Sequence, residues 1–496
     1  MGELALTPVM LDLYERGGPT DAVHQAALLQ LPADCDEERL AATLQAVLDH
    51  HDMLRARIVD EPSGRRLDIA PRGAVRAAGL ISRADISEVA QADLIGVVAD
   101  AQTRVQTQLS PADGDLVRAV WFDAGPRRPG RLLLLVHHLA VDGVSWRVLQ
   151  EDLKSAWQSV AAGEEPRPAP VGTSFRRWSG LLAEQATSPA RTGEAELWHS
   201  VLATPDPLLG TRPLDPRRDV ADSARQLTLS LPHAVAEPLL GRVPAVFNAA
   251  VDEVLLTALA LAVGRWRSER GLGEGTAVLV GLEGHGREEI VDGTDLSRTV
   301  GWFTSLYPVA VDPGALPEGE AWPGGPALGD ALKRVKEQLR AIPDKGIGYG
   351  LLRHLNPDTG PDLARRPEPQ LGFNYLGRFD AADAEAAVAE DWAAPPEATE
   401  TLGSGGDGAR PLPHALGLST VAQDGPDGVR LVAIWSWPGE LFEEPEVQEL
   451  ADLWFRTLSD LAEYAERPEA GGLTPSDLSL LDFSQDELDE FESDLS

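Results

Sequence analysis

Two periods of apolar residues alternate along the chain, and their alternation predicts the elements. Short apolar or alternating runs read as strands at 26–31, 116–123, 132–136, 225–231, 277–282, 371–380, 416–422 and 429–437. A hairpin is expected over 58–70, turning at Pro62-Ser63-Gly64, and the run 298–309 reads as a loop entering a strand. Helical spacing predicts helices over 37–51, 90–109, 144–161, 232–240, 248–266, 328–341 and 445–464, with another resuming at Thr173–Trp178. In the first helix, Leu4–Tyr14, Thr7 suits the N-cap and Pro8 the first helical position. Strands and helices interleave throughout, so the expected fold class is α/β.

Length and composition narrow the picture. A chain of 496 residues exceeds one core of ordinary size, so two lobes are expected. Residues 1–178 are assigned to an N-terminal lobe, 179–470 to a C-terminal lobe and 471–496 to an acidic tail. A net charge of −36 argues against nucleic acid or an anionic membrane as partner. The one cysteine, Cys35, rules out an internal disulfide framework and a cysteine metal cluster, and makes a cytoplasmic location the expectation. No apolar window approaches the ~20 residues of a membrane span, and the start lacks a leader pattern.

Chemistry concentrates where buried strands run out. The run Leu132–Val136 is followed by His137, His138, then Asp142-Gly143, and a helical pattern with Ser145 near its start. Histidines there are held rigidly yet reachable. Read alone, one histidine is structural and Asp142 turns the chain; the spacing His-His-x-x-x-Asp-Gly is more specific. A second double histidine, His50-His51, has no third ligand at useful spacing, so no metal site is expected. The strand at 277–282 ends in Glu283-Gly-His-Gly-Arg287-Glu288. The stretch Pro343–Gly350 is glycine-rich but follows a helix and lacks Gly-Lys-Ser/Thr, so it is not a phosphate loop.

Five segments together resemble the epimerization domains of nonribosomal peptide synthetases, within the condensation superfamily. They are His137-His138-Leu-Ala-Val-Asp142-Gly143-Val-Ser-Trp-Arg147, Glu283-Gly-His-Gly-Arg287-Glu288, Val300-Gly-Trp302-Phe-Thr-Ser305-Leu-Tyr307-Pro308, Pro343–Gly350 and Asn374-Tyr375-Leu-Gly377. They stand in the family's order. The start, Leu6-Thr-Pro-Val-Met, departs from the family's usual form. The resemblance implies a two-lobed chloramphenicol acetyltransferase-like fold with an active-site cleft or tunnel between the lobes. It also assigns His50-His51-Asp52-Met53-Leu54-Arg55 to packing.

The implied reaction is epimerization of the Cα of an L-aminoacyl or L-peptidyl thioester, carried on the 4'-phosphopantetheine of a carrier protein. No cofactor is expected on the domain itself. A thioester acidifies its α-proton; one group must remove that proton and another return it to the opposite face. By resemblance, His138 and Glu283 are these groups, Glu283 requiring a proton affinity raised by burial, and Tyr375 stabilises the enolate or relays a proton. His137 orients the loop. Asp142, beside Gly143, forms an ion pair with either Arg287 or Arg147. Asn374 lines the same cleft, and Trp302, Ser305 and Tyr307 shape its walls. Competing readings are a condensation domain making an amide bond, a non-catalytic carrier-docking module and a free-standing acetyltransferase. The implied partners are an upstream peptidyl carrier protein and a downstream condensation domain. The tail from Pro475 is read either as a solvated end or as an acidic amphipathic helix, 486–494 carrying six acids and no base, that docks on a basic partner.

Overall fold

The computed structural model describes every residue except 1, 63, 274, 316–324, 380–389, 396–397, 399–404, 426, 479–484 and 486–496. The chain forms two compact units: residues 1–188, 285–305 and 382–410 make the first; 189–284, 306–381 and 411–496 make the second. This differs from a plain division at residue 178, because two later stretches return to the first unit. One consequence is that Glu283 and Arg287, four residues apart in one motif, belong to different units.

The first unit holds β1 (Gly2–Ala5), α1 (Pro8–Glu15), β2 (His24–Gln30), α2 (Glu37–His50), β3 (Ala56–Glu61), β4 (Gly64–Ile69) and β5 (Ile81–Asp85). It continues with α3 (Leu94–Gln106), β6 (Val117–Asp123), β7 (Arg131–His137), α4 (Gly143–Ala161) and α5 (Phe175–Ala186). Its main sheet runs β2-β7-β6-β5, with β2/β7 and β7/β6 antiparallel and β6/β5 parallel. All seven residues of β7 are buried, because it lies inside the sheet; hence the unbroken apolar run. From α3, Val98, Ala101 and Val105 pack in one cluster with Leu133 and Leu135 of β7. The second sheet, β1-β4-β3, includes the expected hairpin and a first strand, Gly2–Ala5, that the sequence did not announce. Returning chain pairs with β2 at both ends, Gly405 with His24 and Ala393 with Gln30.

The second unit holds α6 (Pro189–Thr192), α7 (Ala195–Leu202), β8 (Ala224–Leu231), α8 (His233–Leu240), α9 (Arg242–Phe247), α10 (Val251–Glu269), β9 (Val278–Gly284) and β10 (Ser305–Val311). Then follow α11 (Pro326–Arg340), α12 (Ile347–Gly350), α13 (Gly360–Leu363), β11 (Leu371–Phe379), β12 (Leu416–Gln423), β13 (Arg430–Pro438) and α14 (Glu444–Tyr464). Six strands line up as β10-β9-β11-β12-β13-β8. β9/β11 and β11/β12 are parallel, β12/β13 and β13/β8 antiparallel. The expected helix from Asn248 begins instead at Val251. Asn248 itself is left-handed (φ 46°) and ends α9, a conformation asparagine tolerates. From Val254 to Val263 every residue of α10 is buried, so its apolar residues point all round into core. Among the described residues no single helix is long and apolar enough to cross a membrane; one bent pair, His233–Phe247 with Val251–Glu269, passes by composition.

Candidate active-site residues

In the first unit, β7 ends at His137 and delivers the two histidines into different environments. His137 is fully buried. Its Nε2 lies 2.8 Å from the Thr20 carbonyl, which only accepts, so Nε2 carries the proton. Its Nδ1 accepts the Leu139 N–H at 3.1 Å. Both nitrogens are thus committed to holding the turn, and burial pushes the ring's pKa down to about 3.

His138 opens the turn, its N–H donating to the Val23 carbonyl at 2.8 Å. Its ring lies 4.2 Å, centroid to centroid, from Trp302. Nε2 faces Gln25 Nε2 at 3.1 Å, and Gln25 Oε1 accepts Trp146 Nε1–H at 2.8 Å. Burial pushes His138 down to about 4, against the pull of backbone groups and the Asp142 carboxylate. It is therefore neutral near neutral pH, with a lone pair to offer. Gln25 was not singled out from the sequence. The register of β2 on β7, which sets His24 opposite His137 and Gln25 opposite Val136, brings it there.

Asp142 serves three structural purposes. It caps α4, accepting the Ser145 N–H at 2.8 Å and Ser145 Oγ–H at 2.7 Å. It accepts the Phe303 N–H at 3.2 Å. It also pairs with Arg287, whose Nη2 stands 3.0 Å and 3.3 Å from its two oxygens. The Arg287/Arg147 alternative is thereby decided: Arg147 is exposed on α4, while Arg287 is buried beside Asp142. Arg287 Nη1 donates to the Leu296 and Thr299 carbonyls, both at 2.8 Å, and its guanidinium lies 3.9 Å from the Phe303 ring centroid. Gly286 is left-handed (φ 66°), and a Cβ there would overlap the Phe303 carbonyl. The glycine lets the motif turn so that Arg287 reaches Asp142.

In the second unit, Glu283 extends from β9, and Asn374 Nδ2 donates to its Oε2 at 2.8 Å. Parallel pairing of β9 with β11, Leu282 opposite Phe373, sets the two side by side. Glu283 is exposed. The burial expected to raise its proton affinity is absent. Tyr375 also departs from expectation. Side chains alternate along a strand. Leu371, Phe373 and Tyr375 face the core of this unit, while Asn374 points to the other side with Glu283. Burial, then the Asp252 carboxylate, raises the Tyr375 pKa. Tyr375 is a core tyrosine and is not brought together with Glu283.

The remaining expected residues divide similarly. Trp302 is buried against His138 and donates to Thr304 Oγ1 at 3.2 Å. Half-buried Ser305 opens β10, and Tyr307 packs between two core clusters. In the glycine stretch, a Cβ on Gly346 would overlap the Tyr307 ring, so close packing explains the glycine. The second double histidine is a packing element: His51 and Arg55 are buried, and His51 Nε2 meets Asp152 Oδ2 at 2.8 Å. Sequence spacing missed this third group, since His50, His51 and Asp152 do come within 4.8 Å. Their atoms are already committed, His50 to the Ala169 carbonyl and Asp152 to Arg298 as well as to His51, so the cluster needs no metal to be satisfied. The tail begins docked: Asp477 Oδ2 pairs with buried Lys336 at 2.5 Å and Oδ1 with Arg340 at 2.7 Å. The acidic docking helix expected at 486–494 lies outside the described residues.

The sequence model of the condensation domain matches residues 17–478. The chain is 36% identical over 98% of its length to the chondramide synthase of Chondromyces crocatus, of which it spans 12%. It is 32% identical over 98% of its length to surfactin synthase subunit 1 of Bacillus subtilis, of which it spans 13%. It thus spans a small fraction of the curated relatives it matches. Among solved structures, the epimerization domain from the third module of tyrocidine synthetase B superposes with TM-score 0.78 at 28% identity, covering 94% of this chain and 97% of that one. The X-domain from teicoplanin biosynthesis shares the fold, with TM-score 0.64 at 21% identity over 94% of this chain and 95% of that one. The expected chloramphenicol acetyltransferase-like α/β fold is therefore borne out, and this chain belongs to the condensation-domain family.

Proposed function

We propose that this chain is an epimerization domain, equilibrating the L and D forms of an aminoacyl or peptidyl thioester carried on the phosphopantetheine arm of a carrier protein. The observation that carries the reading is the Asn374–Glu283 hydrogen bond. It joins two motifs whose resemblance is to the epimerization branch rather than to peptide-forming domains. The likeness to a solved epimerization domain over 94% of the chain supports it.

His138 and Glu283 are the groups that remove and return the Cα proton. His138, neutral near neutral pH, has a lone pair to take a proton and, with its lowered proton affinity, gives that proton up readily. Glu283 is exposed and is placed by the hydrogen bond that Asn374 Nδ2 donates to its Oε2. His137, Asp142 and Arg287 keep the histidine turn in place. The substrate arrives on an upstream carrier domain and the product passes to a downstream condensation domain.

The match to the condensation-domain model also favours a second reading, amide-bond formation between two carriers. One experiment separates them. A carrier protein loaded with an L-aminoacyl or L-peptidyl thioester is incubated with the chain in deuterium oxide. A one-dalton gain together with an L/D mixture establishes epimerization. No exchange, with amide formation when a second loaded carrier is added, overturns it in favour of condensation.

A further inference from the structure

Two further side chains, Gln25 and Trp146, govern how His138 can carry a proton. The indole nitrogen of Trp146 only donates, so the Gln25 atom facing it at 2.8 Å is the carbonyl oxygen. The Gln25 amide is therefore oriented with its NH2 toward His138 Nε2, 3.1 Å away. An NH2 also only donates. Nε2 must present its lone pair, and the neutral ring must carry its proton on Nδ1. Nδ1 is buried from solvent, leaving Nε2 as the nitrogen through which the ring exchanges a proton. The Trp302 ring packs on the imidazole, 4.2 Å between centroids and tilted by 35°.

We infer that Gln25 and Trp146 are positioning residues: the indole sets the amide, and the amide holds His138 as the Nδ1–H tautomer with Nε2 the working atom. This rests on the reading of His138 as a proton-transfer group. When the Cα proton moves to Nε2, the Gln25–Nε2 hydrogen bond breaks and the electron pair stays on the thioester enolate. The imidazolium then turns N–H toward an amide that Trp146 still holds donor-first. Two donors face each other, so the proton is returned readily in the reverse step. The same nitrogen serves whichever direction His138 works in.

The test uses the full chain labelled with 15N-histidine, with His138 identified by the signals lost in His138→Ala. Long-range proton–nitrogen spectra at neutral pH are expected to show the Nδ1–H tautomer in the wild type. In Gln25→Glu, a carboxylate still accepts from Trp146 but must also accept from the ring, so Nε2 becomes protonated. In Trp146→Phe, the amide is free to turn and both tautomers appear. Deuterium exchange at the thioester Cα is expected to slow about a hundredfold in Gln25→Glu, in the range of proton-transfer catalysis, with KM for the loaded carrier unchanged. An unaltered Nδ1–H pattern, or wild-type exchange, in Gln25→Glu overturns the inference. If the wild type itself does not exchange, the proposed reaction fails, while the spectra still decide the placement of Gln25.

Discussion

His138 and Glu283 stand at the ends of two buried strands, β7 and β9, and the two ends treat an ionisable group in opposite ways. At the first, burial suppresses charge, and the surrounding polar groups are knit together by Asp142, Ser145 and Arg287. At the second, the carboxylate is exposed and is placed by strand register and the amide of Asn374. One site is held by a buried network, the other by a sheet. Damage to the first should therefore cost stability as well as chemistry, and damage to the second chemistry alone.

The most severe test of this contrast removes the working groups. His138→Ala is expected to slow Cα deuterium exchange by about a hundred- to ten-thousandfold, and Glu283→Gln similarly, as for loss of a general acid or base. Both should retain the native circular dichroism. If either variant exchanges at the wild-type rate, its region takes no part in the chemistry.

Next in size is the ion pair beneath the histidine turn. Arg287→Met leaves the buried Asp142 carboxylate without its counter-charge, and a loss of about 3–5 kcal/mol in urea unfolding is expected. Asn374→Ala, at the exposed site, should cost less than about 1 kcal/mol of stability. Equal losses would erase the distinction between the two regions.

A third test uses pH. His137 and His138 have folded pKa values of about 3 and about 4, below the unfolded value of roughly 6.5. Between these limits the unfolded chain binds more protons, so stability is full above pH 6.5 and falls as the pH drops toward 4. Each histidine adds a slope of up to ~1.4 kcal/mol per pH unit. His138→Ala should remove its share of that slope, and Glu283→Gln should leave it unchanged. Asp477, held down to about 2 by Lys336 and Arg340, contributes stability that is lost only below the ordinary carboxylate range.

The smallest expected effect is on Glu283's support. Asn374→Ala removes one hydrogen bond to an exposed charge and should slow exchange by about tenfold, consistent with ~1–2 kcal/mol. No change would mean that strand register alone places the carboxylate.

Much of this arrangement was legible along the chain. The apolar run 132–136 announced a strand with neighbours on both sides, and β7 is such a strand. The helical spacing over 37–51 puts Leu40, Leu44, Val47 and Leu48 on one face of α2, and all four are buried. Where reading along the chain failed, the missing information was lateral. Gln25 meets His138 across 113 residues, and Asp152 meets His51 across 101. That Tyr375 faces the core and that Glu283 is exposed rather than buried are matters of orientation and burial, which a motif does not contain.

The sequence by itself determined the alternation of elements, the family and the chemistry-bearing residue types, because periodicity, caps and local motifs are written in consecutive residues. Only the tertiary structure decided that Arg287 rather than Arg147 pairs with Asp142, that Tyr375 faces the core and that Gln25 holds His138. Those outcomes depend on strand register and sheet face, where a shift of one residue reverses every side chain, and on contacts between segments more than a hundred positions apart.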